Sequence, residues 1–230
     1  MGSGVAGSTD VTIYNGNGNP IAQFTPFPAG FNNQVDPNGS GFLGGNRVAV
    51  GDVTGDGIPD YIVGSGPSIQ ASVIVVDGKT GARVLDYRPF ETFDGGVFVT
   101  TGDITGDGID EIVMTPDVNG GPRVTVLQGG DFTRIHNFFG INDKDFRGGA
   151  RPAVGDINGD GFAELVVSAG FGGGPRISIY DGAALAQGKL LNPIGDFFLF
   201  EEQLRNGAYI AVGDVDGDGY GDLIGGAGPG

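Results

Sequence analysis

The sequence has no cysteine, no tryptophan and a single histidine, His136. Without cysteine, disulfides and thiolate metal sites are excluded. Basic residues are also scarce: 12 Lys and Arg stand against 28 Asp and Glu, giving the 230 residues a net charge of −16. This charge disfavours nucleic acid and anionic membrane surfaces as partners, because both require a basic face. It favours cations or basic partners instead.

Long apolar runs are missing too, and none approaches the roughly 18 residues that a membrane-spanning helix needs. The opening Met-Gly-Ser-Gly, residues 1–4, lacks a basic-plus-apolar signal segment and resembles an expression leader. Glycine, by contrast, occupies 48 positions and is interleaved with Val, Ile and 16 Phe. This mixture favours short strands separated by glycine turns over a disordered coil.

One acidic turn recurs four times. GDVTGDGIPD begins at Gly51, GDITGDGIDE at Gly102, GDINGDGFAE at Gly155 and GDVDGDGYGD at Gly213. The first aspartates of the turns are spaced by 51, 53 and 58 residues (52 to 103, 103 to 156, 156 to 214). Each turn lies between two short β-like runs and is followed by a glycine–proline turn. In three of the repeats two further runs follow. Four strands in about 50 residues are typical of a propeller blade.

We therefore predict an all-β fold, a β-propeller of four-stranded antiparallel blades, forming a single domain over residues 5–230. Complete blades are predicted at 35–94, 95–147 and 148–205. Residues 11–34 match only the third and fourth strands of a blade, and residues 206–230 only the first and second. Joined, these halves make a fourth blade by two-plus-two closure, which leaves no open sheet edge. A ring closed by one chain, a larger ring with a second copy and a segment of a longer array all fit this pattern.

The acidic turns have the composition of a hard-cation site. Numbered from the first aspartate, oxygen-bearing side chains stand at positions 1, 3, 5 and 9, and a glycine at position 6 allows a bend that turns the position 7 carbonyl inward. Such an oxygen set suits Ca²⁺ better than Mg²⁺, zinc or copper, and a cation relieves the repulsion among the carboxylates. We predict about one Ca²⁺ per blade, four per chain, with these ligands: Asp52, Thr54, Asp56, Ile58 and Asp60; Asp103, Thr105, Asp107, Ile109 and Glu111; Asp156, Asn158, Asp160, Phe162 and Glu164; Asp214, Asp216, Asp218, Tyr220 and Asp222.

Two alternative explanations of the turn are weaker. A plain Asp/Gly hairpin is possible, since both residues favour turns, but four copies of the same oxygen pattern favour the metal. An EF-hand would need flanking helices and a bidentate Glu at position 12. That position holds Val63, Met114, Val167 and Gly225, and the flanking runs are β-like.

The acidic turn between two strands, followed by GxGP or GGPR, resembles the FG-GAP repeat of integrin α-subunit propellers, and more closely the bacterial FG-GAP/VCBS repeat proteins. The resemblance covers residues 5–230. It implies a β-propeller with calcium between the first and second strands of each blade. It also implies a secreted or cell-surface setting and a role in adhesion or recognition.

The resemblance also places a protein or glycan ligand on the face opposite the metal loops, where the GGPR turns lie. Aromatic residues recur in phase there, and packing between blades is the simpler explanation for them: Phe24, Phe27, Phe90, Phe138, Phe139, Phe197 and Phe200. For Arg123 and Arg176, bonds to neighbouring carboxylates or carbonyls are likewise the simpler expectation.

No nucleophile motif such as GxSxG appears, and most carboxylates stand in the metal loops. We therefore predict a non-catalytic calcium-binding module, with no catalytic or cofactor-binding residues other than those for the metal. A purely structural or engineered self-assembling repeat is one alternative. An enzyme acting on polysaccharides is another.

Overall fold

The computed structural model describes residues 9–28, 44–190 and 193–228. These residues form five antiparallel sheets, three with four strands and two with two strands. In each four-stranded sheet the strands pair in chain order. The predicted all-β class with four-stranded antiparallel sheets is therefore confirmed, and the sheets have the form of propeller blades.

The first two-stranded sheet contains β1 (Val11–Tyr14) and β2 (Pro20–Phe24), and the last contains β15 (Ala208–Gly213) and β16 (Asp222–Ala227). The first complete blade consists of β3 (Asn46–Gly51), β4 (Asp60–Ser65), β5 (Val73–Val76) and β6 (Arg83–Tyr87). The second consists of β7 (Val97–Gly102), β8 (Glu111–Pro116), β9 (Arg123–Leu127) and β10 (Arg134–Phe139). The third consists of β11 (Ala150–Gly155), β12 (Glu164–Ala169), β13 (Arg176–Tyr180) and β14 (Gly195–Phe198).

The hydrophobic core lies between neighbouring sheets. The second strands β8 and β12 are buried along their whole length, because both faces of these strands meet apolar side chains. Separate clusters join each sheet to the next: Val11 and Phe27 pack on the first blade, Met114 packs between the first and second, and Leu165 packs between the second and third. A fourth cluster joins the third blade to β15–β16 through residues such as Val166.

The first strands of the sheets pack side by side in the order β3, β7, β11, β15. Glycines at the strand ends allow this close approach. A Cβ added at Gly102 would overlap the side chain of Val154, and one at Gly155 would overlap Val212. Among the described residues, no comparable packing joins β15 to β3. The sheets thus form an arc.

The two halves of the predicted split blade lie at the two ends of this arc. In the described part of the chain, β1–β2 and β15–β16 form separate sheets, with no ladder between them. Two-plus-two closure therefore stays a prediction. Residues 29–43, which include the start of the predicted blade 35–94, lie outside the described residues.

The third blade has a short helix that the sequence analysis did not predict. Helix α1 (Gly182–Ala186) lies between β13 and β14. Asp181 caps its start by accepting a hydrogen bond from the backbone N–H of Ala184 at 2.7 Å. Leu185 on this helix is buried in the cluster between the second and third blades. In the described ranges, no helix has the length and apolar character needed to cross a membrane.

Candidate metal centres

The four acidic loops connect the first and second strands of their sheets. We refer to residues 52–60, 103–111, 156–164 and 214–222 as the first to fourth acidic loops. The glycine at position 6 has a positive φ in every loop, from 82° at Gly57 to 90° at Gly219. Residues that carry a side chain rarely adopt a positive φ, whereas glycine does so readily. The predicted bend at this glycine is therefore confirmed. The glycine at position 4 also has a positive φ, from 71° at Gly106 to 81° at Gly217.

The aspartate at position 1 organises the bend. Asp52 Oδ1 accepts hydrogen bonds from the N–H groups of Gly55 (2.8 Å) and Asp56 (3.1 Å), and Oδ2 accepts one from Gly57 (2.8 Å). Asp103 and Asp156 accept the equivalent three bonds. The short Asp/Gly sequence therefore folds by satisfying its own N–H groups with its first carboxylate.

The acid at position 9 lies at the base of the loop and is buried in the first three repeats. Glu111 Oε2 accepts hydrogen bonds from the N–H groups of Ile104 (2.8 Å) and Thr105 (2.9 Å). Its Oε1 accepts a bond from the Thr105 hydroxyl at 3.2 Å and one from the N–H of Gly129 at 3.4 Å. Glu164 accepts the same number of bonds from the equivalent donors. Four donors fill the lone-pair sites of a carboxylate.

Two of the position 9 acids, Glu111 and Glu164, have carboxyl pKa values raised by their surroundings. Burial raises the pKa of the Glu111 and Glu164 carboxyls, and the N–H donors oppose that rise only in part. The pKa of Asp110, beside Glu111, is also raised, first by burial and then by the charges of Asp103 and Asp52. The loops thus hold negative charge close together at a cost that a cation would remove.

At position 3 of the first loop, a buried side-chain oxygen lacks a hydrogen-bond partner among the described residues. The hydroxyl oxygen of Thr54 is buried and has no hydrogen-bond partner in the described structure. At the same position in the second loop, Thr105 donates to Glu111, and in the third loop the Asn158 amide donates to Glu164 at 3.1 Å. A buried hydroxyl without a partner is costly, so the Thr54 oxygen fits a cation that the carboxylates attract.

The fourth acidic loop brings three carboxylates together. One oxygen each from Asp214, Asp216 and Asp218 lie within 4.8 Å of one another, and all three side chains are exposed. The position 9 acid of this loop, Asp222, is only half-buried and accepts a bond from the N–H of Val215 at 2.9 Å. All the side-chain atoms that this loop offers to a cation are carboxylate oxygens, the ligands that hard cations of calcium's size prefer.

Across the loops, the structure groups the predicted ligands in two layers. Positions 1 and 5 lie on the exposed bend, where the N–H of the position 7 residue donates to the position 5 carboxylate, as from Ile58 to Asp56 at 2.9 Å. Position 9 lies below, bonded to the loop backbone. Cationic and amide groups also reach the position 5 carboxylates: Lys79 Nζ lies 3.3 Å from Asp56 Oδ2, and Gln128 Nε2 donates to Asp107 at 3.3 Å. The metal ligation by these residues stays a prediction.

Sequence reasoning missed how the position 9 acids connect to the rest of the blade. Gly78, Gly129 and Gly182, each two residues after the end of the third strand, donate an N–H to the position 9 carboxylate of the same blade at 3.0–3.4 Å. The recurring Asp-Gly or Gln-Gly after the third strand was the available signal.

On the opposite face, the arginines of the GGPR turns have protein partners. Arg176 forms a bidentate ion pair with Asp196, at 2.6 and 2.7 Å, and Arg123 donates to the amide oxygen of Asn137 at 2.6 Å. His136 is buried, and its Nε2 lies 2.9 Å from the carbonyl oxygen of Leu185. The histidine side chain is therefore packed and hydrogen-bonded inside the protein.

The recurring phenylalanines are divided between core and surface. Phe27 and Phe90 are buried between sheets, and Phe24 and Phe138 are partly buried there. Phe139 and Phe197 are exposed, at 51% and 45% of their surface. The expectation of inter-blade packing therefore holds for some of these residues, and the exposed ones are available for contact with a ligand.

Comparison with known proteins supports the family resemblance. Residues 103–167, which contain the second and third acidic loops, match the model of the FG-GAP-like repeat family. The chain is 29% identical to integrin alpha-PS2 of Drosophila melanogaster in a match that covers 83% of this chain. Together these matches support an FG-GAP repeat, integrin-like, propeller-type protein. The chain spans only 15% of the length of that relative.

Similar folds occur in solved structures of exotype rhamnogalacturonan lyase YesX (TM-score 0.59, 16% identity, 92% of this chain and 45% of that chain) and rhamnogalacturonan lyase YesW (0.56, 16%, 92% and 46%). The rhamnogalacturonan lyase PL11 of Bacillus licheniformis is similar to the same degree (0.56, 17%, 90% and 46%). At these identities the likeness concerns the fold alone. The chain spans less than half the length of each lyase.

The buried position 9 carboxylate should matter more for the metal-free fold than the exposed position 5 carboxylate. Glu111→Ala leaves several buried N–H groups without an acceptor, and we expect a loss of about 3 kcal/mol in the free energy of unfolding. The matched change Asp107→Ala removes two exposed hydrogen bonds, from the N–H of Ile109 and the Gln128 amide, and should cost about 1 kcal/mol or less. Urea unfolding in EDTA measures both. Equal losses would show that Glu111 does not hold the loop together.

Proposed function

We propose that the chain is a non-catalytic, calcium-binding β-propeller module that acts as an extracellular recognition or adhesion scaffold. The observation that carries the proposal is the fourfold acidic loop, in which three exposed carboxylates converge in one repeat and a buried Thr54 hydroxyl lacks a partner in another. The FG-GAP-like match and the integrin relative support the same assignment.

Calcium would be held by the side chains at positions 1, 3 and 5 and by the position 7 carbonyl of each loop. Asp60 and Asp222 accept fewer hydrogen bonds than Glu111 and Glu164, so the first and fourth loops have the position 9 oxygens most available as further ligands. When bound, calcium supplies positive charge that offsets the repulsion within the loop, and its role is structural. Four loops correspond to four ions per chain.

Calcium binding should appear as calcium-dependent stability. Ligand that binds only the folded state stabilises it by about 2.7 kcal/mol per site when its concentration is 100 times the dissociation constant. We expect EDTA to lower the melting temperature and millimolar calcium to restore it. Titration calorimetry should count about four sites, and Asp218→Ala should remove one. The matched surface change Asp145→Ala, outside the loops, should remove none. An identical melting curve with and without calcium would contradict the proposal.

For the fold, we propose four blade equivalents, of which three are complete sheets and one is assembled from β15–β16 and β1–β2. The support lies in the pairing order, since these hairpins supply the first two and the last two strands that every complete blade contains. Joining them would also remove two sheet edges, which otherwise favour aggregation.

We place the ligand surface on the face opposite the acidic loops. Clefts of about 560 Å³ and 270 Å³ lie there beside the turns that follow the second strands. The larger one is lined by a mixture of aromatic and charged side chains: Phe93 and the exposed Phe139, the basic Arg123, Lys144 and Arg147, and the acidic Glu91 and Asp94. Aromatic and arginine side chains are common in recognition surfaces, and a protein or glycan ligand fits them.

Removal of the exposed aromatic side chain should weaken ligand binding without unfolding the protein. On peptide and glycan arrays we expect binding by the parent chain and at least tenfold weaker binding by Phe139→Ala, because interface aromatics contribute strongly. Phe171→Ala, at an equally exposed phenylalanine outside this cleft, is the matched control. Equal binding by both variants would exclude the cleft. Binding by neither parent nor variants would instead favour a purely structural, self-assembling module.

We propose that the module is not an enzyme, although its fold is similar to that of lyases. The support is that its histidine is bonded inside the core and that the two arginines of its GGPR turns are paired. Incubation with rhamnogalacturonan should give no unsaturated product, which would absorb in the ultraviolet, whether calcium is present or absent. Product formation that a non-loop substitution such as Asp143→Asn abolishes would establish catalysis.

The natural setting that we propose is secretion or display at the cell surface. The integrin relative supports this location, and millimolar extracellular calcium would fill sites with dissociation constants of about 10⁻⁴ to 10⁻³ M, typical of extracellular modules.

A further inference from the structure

The two ends of the arc carry complementary, incomplete surfaces. At the amino-terminal end, a groove of about 620 Å³ runs between β1 and β3 and is lined largely by apolar side chains such as Ile13, Val48 and Val50. In a complete blade, the hairpin of the first and second strands lies between two elements. One is the third strand of the same blade, and the other is the first strand of the next blade. The groove is therefore shaped for a first-and-second-strand hairpin.

The carboxy-terminal end is a first-and-second-strand hairpin with uncovered apolar groups. Position 2 of the acidic loop is fully buried in the first two repeats, as Val53 and Ile104, but its equivalent Val215 is 70% exposed. Strand β16 is exposed over its last four residues, whereas the equivalent β8 and β12 are buried throughout. This hairpin lacks the cover that its counterparts have.

Glycine positions indicate what the cover would be. The glycine ending each first strand packs against the residue that precedes the same glycine in the next blade, as Gly102 does against Val154. At the last of these glycines, Gly213, a Cβ would meet nothing within 4 Å. The corresponding residue of the first blade, Val50, is 59% exposed. Gly213 and Val50 are thus the two unmatched members of one repeating contact.

The acidic loops repeat this pattern. The position 4 glycine of each loop approaches the position 7 side chain of the next, as Gly159 approaches Tyr220. Gly217 in the fourth loop has no neighbour within 4 Å of its added Cβ, and Ile58 in the first loop is exposed.

A row of stacked side chains on the first strands is also interrupted. The second residue of these strands alternates as Arg47, Phe98, Arg151 and Tyr209. Arg151 lies over both of its aromatic neighbours, at 5.9 Å from Phe98 and 3.9 Å from Tyr209. Arg47 lies over Phe98 at 4.8 Å on one side, and Tyr209 is exposed at the far end of the row. Bringing Tyr209 beside Arg47 would continue the alternation.

We propose that these ends meet between two copies of the chain: the β15–β16 hairpin of each copy occupies the groove beside β1 of the other, closing a ring of eight blades. The inference rests on the proposed propeller architecture. A second copy is favoured because the chain does not join its own ends in the described structure. Propellers typically have four to eight blades, so two copies close a ring within that range and three would exceed it. A head-to-tail contact that closes in this way leaves no free end.

The complete blades fix the register of the new pairing. In each one the residue after the position 9 acid pairs with the last residue of the third strand, as Tyr61 pairs with Val76. The equivalent pairs are Leu223 with Tyr14 and Ile224 with Ile13. In this register the N–H of Gly16 from one copy lies where Gly78 lies in the first blade, and it donates to Asp222 of the other. The fourth acidic loop is thus completed by the second copy.

One contact of the other junctions is missing from this one. The N–H at position 8 donates to the position 1 carbonyl of the preceding loop, as Asp110 does to Asp52 at 3.0 Å and Gly221 to Asp156 at 2.7 Å. Position 8 of the first loop is Pro59, which has no N–H. The closing junction is therefore weaker than the three within a chain, in keeping with an interface that assembles from separate copies.

Light scattering and crosslinking of the 230-residue chain test the proposal. We expect a particle of about twice the 23.4 kDa chain mass. Because the chain has no cysteine, Ile13→Cys and Ile224→Cys place single thiols at paired positions within reach of a disulfide. Mixing the two single variants should give a covalent dimer, and mixing Ile21→Cys with Ile224→Cys should not. A double Ile13→Cys/Ile224→Cys chain that crosslinks within itself, a monomer at all concentrations, or an open filament would each overturn the proposal.

Glycine variants separate assembly from folding. Gly213→Ala should weaken the dimer about tenfold or more while leaving the monomer's stability unchanged, because its new methyl group meets Val50 only across the junction. Combining Val50→Ala with Gly213→Ala should restore part of the lost dimer affinity. Gly102→Ala, which meets Val154 within the chain, should instead lower the melting temperature at every protein concentration. An unchanged dimer affinity in Gly213→Ala would overturn the proposed contact.

Repeating the crosslinking in EDTA keeps the two proposals apart. A crosslinked dimer in a chain that binds no calcium would support the ring and contradict the calcium assignment. A monomer that binds calcium would overturn the ring and leave the calcium assignment standing.

Discussion

The structure depends on a carboxylate buried at the base of the acidic hairpin in each of the three complete blades. Glu111 stands at the start of the second strand and accepts hydrogen bonds from the acidic loop and from Gly129 in the turn after the third strand. It thereby joins three pieces of one blade. Burying the carboxylate is unfavourable, and hydrogen bonds from several N–H groups offset the cost. The same carboxylate thereby fixes the loop above it, where the other acids converge. Blade integrity and the geometry of the acidic loop are consequences of one set of bonds.

This bond set explains why short, glycine-rich strands form an ordered core. In each of the three complete blades, the hairpin of the first and second strands presents buried aliphatic side chains to both neighbouring sheets, and glycine at the end of its first strand lets the next strand approach closely. The repeat is therefore specified by contacts between blades as much as within them. A blade at the end of the arc keeps the sequence of an inner blade, including Gly213, although nothing within the described chain occupies the space beside that glycine.

The strands and acidic loops could be predicted from sequence because their signals are local. β-branched runs bounded by glycine gave the four-stranded sheets, and Gly57 and its equivalents adopt the bend expected of them. The role of the position 9 acid could not be assigned in this way. A carboxylate at this spacing has the same sequence pattern whether it binds a metal or accepts hydrogen bonds from N–H groups. Helix α1 was missed because five residues carry little periodicity. The closure of the split blade depends on contacts between distant ends, which no local pattern encodes.

The fourth acidic loop connects the local structure of a loop with the closure of the split blade. Its three aspartates at positions 1, 3 and 5 are the most concentrated negative charge among the loops, yet its position 9 acid is the least buried. In the other blades the segment directly after the third strand supplies a glycine N–H to this acid. Here that strand stands at the other end of the arc, in β1. In the proposed ring, bringing β1 against β16 completes a sheet and buries a carboxylate beneath the three clustered aspartates in a single step. The proposed assembly and the proposed cation affinity at this loop are therefore coupled by the same hydrogen bond.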